Sequence, residues 1–309
     1  MEEAERAAFL HDALAGLSHG SKTLPGKYLW DETGSDVFDR ICAHPDYYPT
    51  EREMTLFPLA CAELAGMVGQ DVSVVEFGAG ASRKIRILLD ALDAPQAYIA
   101  LDICGSYLDA ALGRLAPDYP AVTMTPVSAD YSKPIHLPAG LVGDNVLGFF
   151  AGTSIGNFSP DEAGAFLRRT RDTLGTSRLL VGADPTRDPD RLRRAYGACG
   201  GLMPALHLNM LTRMNRELGS DFDLANFVHE ARVVEDPFRV EAHLVAREAA
   251  TYRLGGRDIF FQADESIRTD TSHKYAPDAF QALARSSGWT PERLWLDPQG
   301  GFSLHLLRG

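Results

Sequence analysis

Short apolar runs and amphipathic stretches alternate between residues 72 and 183. The apolar runs at 72–77, 97–102, 122–127, 145–150 and 178–183 predict buried strands. Helical periodicity predicts helices at 82–92, in the stretch that ends near 115, and at 159–174, where Ser159 and Glu162 form a capping-box pattern. Regular alternation of helices with apolar strands is typical of a parallel, doubly wound sheet. The sequence therefore predicts an α/β fold.

Outside this block the pattern changes. The first fifty residues mix helix and loop, with a break at 20–26, and Thr50 with Glu53 predicts a capping box that opens a helix over 50–66. Residues 189–219 are predicted to be helical, and the alternation over 238–254 indicates half-buried strands. A helix over 277–287 and two strands within 293–307 are expected to complete the large sheet as an antiparallel hairpin.

This order of elements predicts two domains, each built from two segments of the chain. Residues 52–185 and 278–309 are expected to form the doubly wound, mostly parallel core, of the type that binds nucleotides. Residues 4–51 and 186–277 are expected to form a second, α+β domain that binds the substrate. A chain of 309 residues is long enough for this arrangement.

Composition narrows the range of functions. A formal charge of -12 argues against a nucleic-acid partner, because binding phosphates requires a concentrated basic surface. The four cysteines lack C-x-x-C spacing, which disfavours a zinc site or a disulfide framework and fits a reducing cytoplasm. No apolar run is long enough to span a membrane, and the acidic N-terminus lacks the pattern of a signal peptide. We expect a cytoplasmic monomer, without a metal ion, that acts on a small molecule.

A glycine-rich turn follows the first strand of the predicted core. In Glu76-Phe77-Gly78-Ala79-Gly80, the glycines let the backbone approach a ligand closely, and the N–H groups at the start of the next helix can face it. Arg83 occupies the position of the third glycine that a dinucleotide-binding loop would have. The acidic Glu76 instead suits a ligand with a cationic amino-acid end, such as S-adenosylmethionine.

Acidic residues also close the next two strands. Asp102 ends the second strand, where a carboxylate can bind both hydroxyls of a ribose, and Asp130 follows the third, where it can meet an adenine amino group. Open α/β sheets bind ligands at this edge, outside the carboxyl ends of the strands. The alternative is that Glu76 and Asp102 only cap helices or lie in loops, as single carboxylates often do.

Six longer motifs run through nearly the whole chain: KYLWDETGS (27–35), PDYYPTERE (45–53), EFGAGASRK (76–84), GTSIGNF (152–158), NRELGSDF (215–222) and IRTDTSHKY (267–275). Their content and order resemble the histidine Nα-methyltransferases of ergothioneine biosynthesis, which trimethylate histidine to hercynine. The resemblance implies a Rossmann-like class I methyltransferase core that binds S-adenosylmethionine, with a substrate domain made from the N-terminal segment and the insertion.

The resemblance also implies roles for single residues. Asn157 and Tyr196 would hold the α-carboxylate of the acceptor, Tyr47 would lie near the substrate, and Asp270 and Ser272 would grip an imidazole. The residues expected to bind the cofactor are those of the glycine loop and those that follow the next strands: Glu76, Gly78, Ala79, Gly80, Lys84, Asp102, Asp130 and Tyr131.

Several positions depart from the family pattern at the side-chain end of the acceptor pocket. Trp30 replaces a tyrosine, Ala242 replaces a methionine, and Asp270 is one methylene shorter than the usual glutamate, while Gly197 and His207 replace asparagines. Altered side-chain specificity would produce this pattern, because recognition of a polar side chain depends on complete partners. Drift within a true histidine enzyme would produce it too, and both interpretations stay open.

Methyl transfer from a sulfonium is an in-line displacement, in which alignment is the main task of the enzyme. The amine must be neutral, and the sequence shows no strong general base. The proton can leave to water before closure, or through Tyr47 or a bound water. Each site residue also has a structural alternative: Asn157 as a helix cap, Tyr47 as a packing residue, Asp270 as a solvated acid, and His207, His243 and His273 as ordinary core or surface histidines.

Two functions of other classes compete with an amino-acid N-methyltransferase. A nicotinamide-dependent oxidoreductase would need a third loop glycine where Arg83 stands. A cofactor-binding homologue with a decayed acceptor site is motivated by Trp30, Ala242 and Asp270. Within the leading class, histidine is the first acceptor to test, and an amino acid with another aromatic or basic side chain is the alternative.

Overall fold

The computed structural model describes residues 3–80, 83–103, 105–131, 133–135, 137, 140 and 143–309. The chain divides into two compact units, each built from two segments. Met1–Tyr48 and Arg187–Ser272 form what we call the four-strand unit, and Pro49–Thr186 and His273–Gly309 form the seven-strand unit. These boundaries lie within a few residues of the predicted ones. The substrate-binding and cofactor-binding roles given to the two domains remain predictions.

The helices are α1 Glu3–Leu17, α2 Glu32–Cys42, α3 Tyr48–Val68, α4 Arg83–Ala91, α5 Gly105–Leu115, α6 Pro160–Leu174, α7 Pro189–Tyr196, α8 Leu202–Leu218 and α9 Pro277–Ser286. The strands are β1 Lys22–Thr23, β2 Ser73–Phe77, β3 Ala97–Asp102, β4 Thr123–Ser128, β5 Val146–Phe150, β6 Arg178–Ala183, β7 Phe227–Val234, β8 Arg239–Ala246, β9 Ala250–Leu254, β10 Arg257–Phe261, β11 Ser266–His273, β12 Thr290–Leu296 and β13 Ser303–Arg308. Within the described ranges, none of the helices is long and apolar enough to cross a membrane.

The seven-strand unit contains a mostly parallel sheet with the strand order β12-β13-β6-β5-β2-β3-β4. Strands β2 to β6 pair in parallel, and β13 pairs antiparallel with both β6 and β12. When β2 is counted as the first strand, the parallel strands follow the Rossmann order, with one antiparallel strand inserted before the last. The predicted α/β class and the closing antiparallel hairpin are therefore confirmed.

The two faces of this sheet pack into separate cores. Val74 and Tyr98 belong to one core, whereas Val75 and Ile99, their neighbours in sequence, belong to the other. Because both faces are covered, β2 and β5 are buried at every position. This burial explains why the sequence shows these strands as continuous apolar runs rather than as alternating patterns.

The two predicted capping boxes have different outcomes. At α6 the prediction is confirmed, because the Ser159 side chain accepts from the Glu162 backbone N–H and the Glu162 side chain accepts from the Ser159 N–H. At α3 the prediction is wrong, because the helix begins at Tyr48 and Thr50 already lies inside its first turn. Pro49 supports the earlier start, since proline is favoured at the first helical positions. The Glu53 side chain instead contacts the Gly152 backbone and Lys84.

The four-strand unit contains a sheet in the order β1-β11-β8-β7 and a separate hairpin of β9 and β10. The sequence predicted strands only over 238–254, which correspond to β8 and β9. Strand β11 escaped prediction because its sequence, Ser-Ile-Arg-Thr-Asp-Thr-Ser-His, has a single large apolar residue and so lacks an apolar alternation.

The predicted helix over 189–219 is two helices rather than one. The chain between α7 and α8 turns through Gly200 and Gly201, whose φ values of +62° and +91° lie in the left-handed region that glycine adopts at no steric cost. As a result, α7 ends at Tyr196, and the side chain of this residue is presented from the end of a helix.

Candidate active site

The glycine loop after β2 is held by backbone bonds to the end of β3. The N–H groups of Gly78 and Ala79 both donate to the carbonyl of Leu101, at 2.8 and 3.1 Å, and the N–H of Gly80 donates to Oδ2 of Asp102 at 3.2 Å. Gly78 and Gly80 have φ values of +73° and +45°, which favour glycine. Ala81 and Ser82, which complete the motif and begin the predicted helix, lie outside the described residues.

The structure also brings Asp102, Asp130 and Tyr131 to this loop or to the strand ends beside it. A Cβ atom at Gly78 would be in van der Waals contact with the Tyr131 ring at 3.4 Å, so this ring lies close to the loop. Asp102 ends β3, and Asp130 follows the end of the neighbouring strand β4, where it pairs with Lys133 at 3.6 Å. Both carboxylates thus lie at the carboxyl edge of the sheet, beside the point where the strand order reverses.

Glu76 lies beneath the loop, within β2. Its carboxyl group is 2% exposed and accepts a hydrogen bond of 2.5 Å from the Tyr98 hydroxyl on β3. Burial raises the pKa of Glu76 to about 8, an effect that the Tyr98 hydrogen bond and the Lys84 charge oppose and that the Asp102 charge reinforces. The contact seen for Glu76 is with the protein, and its predicted role toward a cationic ligand stays a prediction.

Glu53 is a residue of this site that sequence reasoning missed, because it was interpreted as part of a helix cap. It is 2% exposed, its Oε2 lies 2.5 Å from the Lys84 ammonium, and its Oε1 accepts from the Gly152 N–H at 2.7 Å. It thereby joins α4, which follows the glycine loop, to the loop that follows β5. The available signal was its place in the motif PDYYPTERE, directly before the strand–helix alternation.

Asn157 ends the 3₁₀ helix Ser154–Asn157, in the loop between β5 and α6, and its side chain is exposed. The alternative that Asn157 caps α6 is wrong, because Ser159 is the cap. The carbonyl of Gly156, directly before Asn157, accepts a hydrogen bond of 3.2 Å from Nδ1 of His273. His273 is buried, which agrees with its interpretation as a core histidine.

In the four-strand unit, the residues assigned to the acceptor form a chain of aromatic and hydroxyl groups. The rings of Trp30 and Phe38 meet edge to face at 5.1 Å, Phe38 and Tyr47 at 6.1 Å, and Tyr47 and Tyr196 at 5.8 Å. The Tyr196 hydroxyl lies 3.5 Å from Oγ of Ser272. Phe38 was not among the predicted site residues, although it lies between the motifs at 27–35 and 45–53.

Tyr47 has the most perturbed hydroxyl of this group. Burial raises its pKa well above the ordinary value of a phenol, and the neighbouring Tyr196, Cys42 and Tyr48 reinforce the effect. At neutral pH its hydroxyl is therefore protonated, which makes it a hydrogen-bonding group rather than a base.

Asp270, Ala242 and His207 lie along or against the same small sheet. Oδ1 of Asp270 would be 3.0 Å from a Cβ atom at Gly26, so the carboxylate packs against the backbone that leads to Trp30. The Ala242 carbonyl accepts from Oγ1 of Thr269 at 3.2 Å, and that hydroxyl also meets Nδ1 of the buried His207 at 2.8 Å. His207 thus acts as a core histidine behind the strand that carries Asp270.

Within the ranges that the structure describes, no group of three or more His, Cys, Asp or Glu side chains is arranged to hold a metal ion. The polar groups at both sets of residues include neutral donors, carboxyl groups and the ammonium groups of Lys84 and Lys133. Groups of these kinds can hydrogen-bond to an organic ligand, and the binding roles predicted for them remain predictions.

Comparison with known proteins covers nearly the whole chain. A family model described as "Histidine-specific methyltransferase, SAM-dependent" matches residues 9–309. The chain is 36% identical to histidine N-alpha-methyltransferase of Mycolicibacterium smegmatis, with 97% of this chain and 94% of the relative aligned. It is 35% identical to the protein of the same name from Mycobacterium tuberculosis, over 99% and 96% of the two chains. It is also 26% identical to L-tryptophan methyltransferase of Psilocybe serbica, over 98% and 92%.

Proposed function

The chain belongs to the family of histidine-specific, S-adenosylmethionine-dependent methyltransferases, and on that premise we propose that its acceptor is the α-amino group of a free L-amino acid, with L-histidine as the first candidate. The protein is an S-adenosylmethionine-dependent N-methyltransferase. The observation that carries the proposal is the contact of Tyr196, assigned to the α-carboxylate, with both Tyr47, assigned to the vicinity of the substrate, and Ser272, assigned to the side chain.

The residues around the glycine loop fit S-adenosylmethionine. Among the described residues, four carboxyl groups surround the loop, those of Glu53, Glu76, Asp102 and Asp130, and the ammonium groups paired with them are those of Lys84 and Lys133. Burial keeps a proton on Glu76 at neutral pH, and a bound ammonium group would favour its ionised form, so this set of carboxyl groups suits a ligand with a sulfonium and an ammonium group. We assign the ribose hydroxyls to Asp102, the adenine to the region of Asp130 and Tyr131, and the carboxylate of the ligand to Lys84. When bound, the cofactor supplies an electrophilic methyl group.

We assign the α-carboxylate of the acceptor to Asn157 and Tyr196. An amide and a phenol donate hydrogen bonds to a carboxylate without bringing a charge of their own into the site. A carboxylate that is held at a fixed place also fixes the amine two bonds away, and alignment is the main requirement of an in-line displacement.

The amine must lose its proton before it reacts. Tyr47 stays protonated at neutral pH because burial raises its pKa, so it orients the amine through its hydroxyl and does not take the proton. We therefore propose that the amine loses its proton to water before methylation.

The residues assigned to the side chain of the acceptor suit histidine and also suit other acceptors. Asp270 and Ser272 can both accept hydrogen bonds from the N–H groups of an imidazole, and a carboxylate forms the stronger, charge-assisted bond. Trp30, in place of the tyrosine usual in the family, adds an indole to the aromatic wall and favours the second candidate, an amino acid with a larger aromatic side chain. The similarity to an L-tryptophan methyltransferase supports the same alternative.

A screen of free amino acids tests the proposal. The protein is incubated with methyl-labelled S-adenosylmethionine and each common amino acid in turn, and mass spectrometry follows the gain of one, two or three methyl groups. We expect histidine to gain methyl groups faster than any other amino acid. If another amino acid reacts and histidine does not, the histidine assignment is wrong and the reaction class survives.

Calorimetry separates an active enzyme from a homologue with a decayed acceptor site. An enzyme with both sites intact binds S-adenosylhomocysteine and also binds an amino acid in its presence. Binding of S-adenosylhomocysteine, with no binding of any amino acid and no turnover in the screen, would contradict the proposal.

A further inference from the structure

The loop Gly152–Asn157 carries Asn157, and the described residues hold it at both ends. At the first end, Oε1 of Glu53 accepts from the Gly152 N–H at 2.7 Å. At the other end, Nδ1 of His273 lies 3.2 Å from the Gly156 carbonyl. A carbonyl oxygen only accepts hydrogen bonds, so the imidazole must be the donor there.

Both partners are themselves fixed. Glu53 is 2% exposed and is paired with Lys84 at 2.5 Å, so its second oxygen has a defined position. His273 is followed by Lys274, whose ammonium pairs with the Asp184 carboxylate at 2.8 Å, with both side chains fully buried. The N–H of Tyr275 donates to the Asp184 carbonyl at 2.8 Å. The segment that carries His273 is thus anchored to the end of β6.

The loop has little freedom of its own between these two bonds. Gly152 has a φ value of +66°, and its carbonyl would lie 2.0 Å from a Cβ atom at Gly182 on β6, so the two backbones are in close contact. The Gly156 N–H donates to the Thr153 carbonyl at 2.9 Å, which closes the turn before Asn157. The hydrogen bond to the Gly156 carbonyl fixes the peptide plane that Gly156 shares with Asn157.

We propose that His273 and Glu53 are positioning residues for the acceptor: they clamp the loop Gly152–Asn157 and so set the direction in which the Asn157 amide points. The proposal rests on the proposed role of Asn157 in binding the α-carboxylate. Neither His273 nor Glu53 contacts the acceptor itself. Their effect is on acceptor affinity, through the reduced freedom of the loop, since holding a binding group in its productive geometry lowers the cost of binding.

Two variants of His273, whose side chains resemble each other in shape, test one end of the clamp. His273→Asn keeps an N–H donor of suitable reach, and His273→Leu has the same size without a donor. With S-adenosylhomocysteine bound, titration with L-histidine should show an affinity about fivefold or more weaker for the Leu variant and near that of the wild type for the Asn variant, as expected for one lost hydrogen bond. Both variants should bind S-adenosylhomocysteine as the wild type does.

Two variants of Glu53 test the other end. Glu53→Gln keeps an oxygen that can accept from Gly152, whereas Glu53→Ala does not. Both lose the charge opposite Lys84, so the difference between them isolates the bond to the loop. We expect Glu53→Ala to bind L-histidine more weakly than Glu53→Gln, whatever their shared effect on S-adenosylhomocysteine. If His273→Leu does not fold, this pair of variants still tests whether the clamp affects acceptor affinity.

Hydrogen exchange measures the clamp without an acceptor. Peptides that span residues 150–160 should exchange faster in His273→Leu than in His273→Asn, while peptides from α9 should not change. Equal exchange and equal histidine affinity in the two variants would overturn the proposal, as would a proportional loss of S-adenosylhomocysteine binding. If the wild type binds no histidine, the proposed acceptor is wrong, and the exchange measurement still decides whether the clamp exists.

Discussion

Asn157 is the residue on which the assignment of the amino-acid head depends most directly. Its side chain is exposed, and the cap of α6 is Ser159 rather than Asn157, so the helix does not require it. An exposed amide that does not cap the helix can hydrogen-bond to a ligand. Substitution at this position should therefore change ligand binding and leave the stability of the protein nearly unchanged.

Asn157→Ala should weaken amino-acid binding by about tenfold or more, because a hydrogen bond to a charged group is lost. The affinity for S-adenosylhomocysteine should stay within about twofold. Asn157→Asp is the matched variant of equal size, and it should weaken binding further because its carboxylate repels the α-carboxylate. Isothermal titration of both ligands provides the measurement. An equal loss of both affinities would remove Asn157 from its assigned role.

Glu76 makes the stability of the protein without ligand depend on pH. Burial raises its folded pKa to about 8, above the ordinary value of 4.5. The folded state therefore holds a proton that the unfolded state releases, so this contribution to stability is full below pH 4.5 and is lost as the pH rises toward 8. Glu76→Gln removes the titration.

The unfolding temperature of Glu76→Gln, relative to the wild type, should rise between pH 5 and pH 8. The corresponding free-energy difference should grow by on the order of 1 kcal/mol or more. The exposed Glu248→Gln serves as the control and should show a constant difference over this range. A constant difference for Glu76→Gln as well would show that Glu76 is ionised in the folded protein throughout.

At the scale of the elements, the two capping patterns show what a short motif can and cannot predict. Ser159 with Glu162 and Thr50 with Glu53 have the same spacing, yet only the first forms a cap. The difference lies in tertiary contacts, because Glu53 accepts from the backbone of Gly152 and pairs with Lys84, both far from it in sequence. A local pattern contains no information about such distant partners.

Ser159→Ala should lower the free energy of unfolding by about 1 kcal/mol, since it removes an N-cap hydrogen bond. Thr50→Ala should change it by less than about 0.5 kcal/mol, because Thr50 lies within a helix and does not cap it. Urea unfolding of the two variants measures both values. Equal losses would indicate that Thr50 also caps α3.

The local sequence determines some of the other elements, and tertiary contacts determine others. The parallel core was predictable because β2, β3, β5 and β6 are buried on both faces and appear as apolar runs. The break between α7 and α8 was missed although Gly197, Gly200 and Gly201 mark it in the sequence. Strand β11 was missed because pairing with β1 and β8, and not its own composition, makes it a strand.

The residues proposed for the cofactor and the acceptor also differ in how far the sequence could predict their positions. Gly78, Gly80, Asp102 and Asp130 were predictable, because the carboxyl ends of parallel strands meet at one edge of a sheet. Their placement rests on the strand order alone. The ring contact of Tyr47 with Tyr196, and the hydrogen bonds from Glu53 and His273 to the loop of Asn157, join segments far apart in sequence. No spacing along the chain could have shown them.

At the scale of the whole molecule, the family match includes residues of both units. The match runs over residues 9–309, and the aligned share of the two histidine N-alpha-methyltransferases exceeds nine tenths of each. The proposed function depends above all on which atom of the acceptor receives the methyl group.

The position of the methyl group on the product tests the proposed function most directly. The protein is incubated with methyl-labelled S-adenosylmethionine and L-histidine, and tandem mass spectrometry locates the label, with Nα-acetylhistidine as the control in which the α-amine is blocked. We expect label on the α-nitrogen of histidine and no reaction of Nα-acetylhistidine. Label on the imidazole ring, or methylation of Nα-acetylhistidine, would contradict the proposed function.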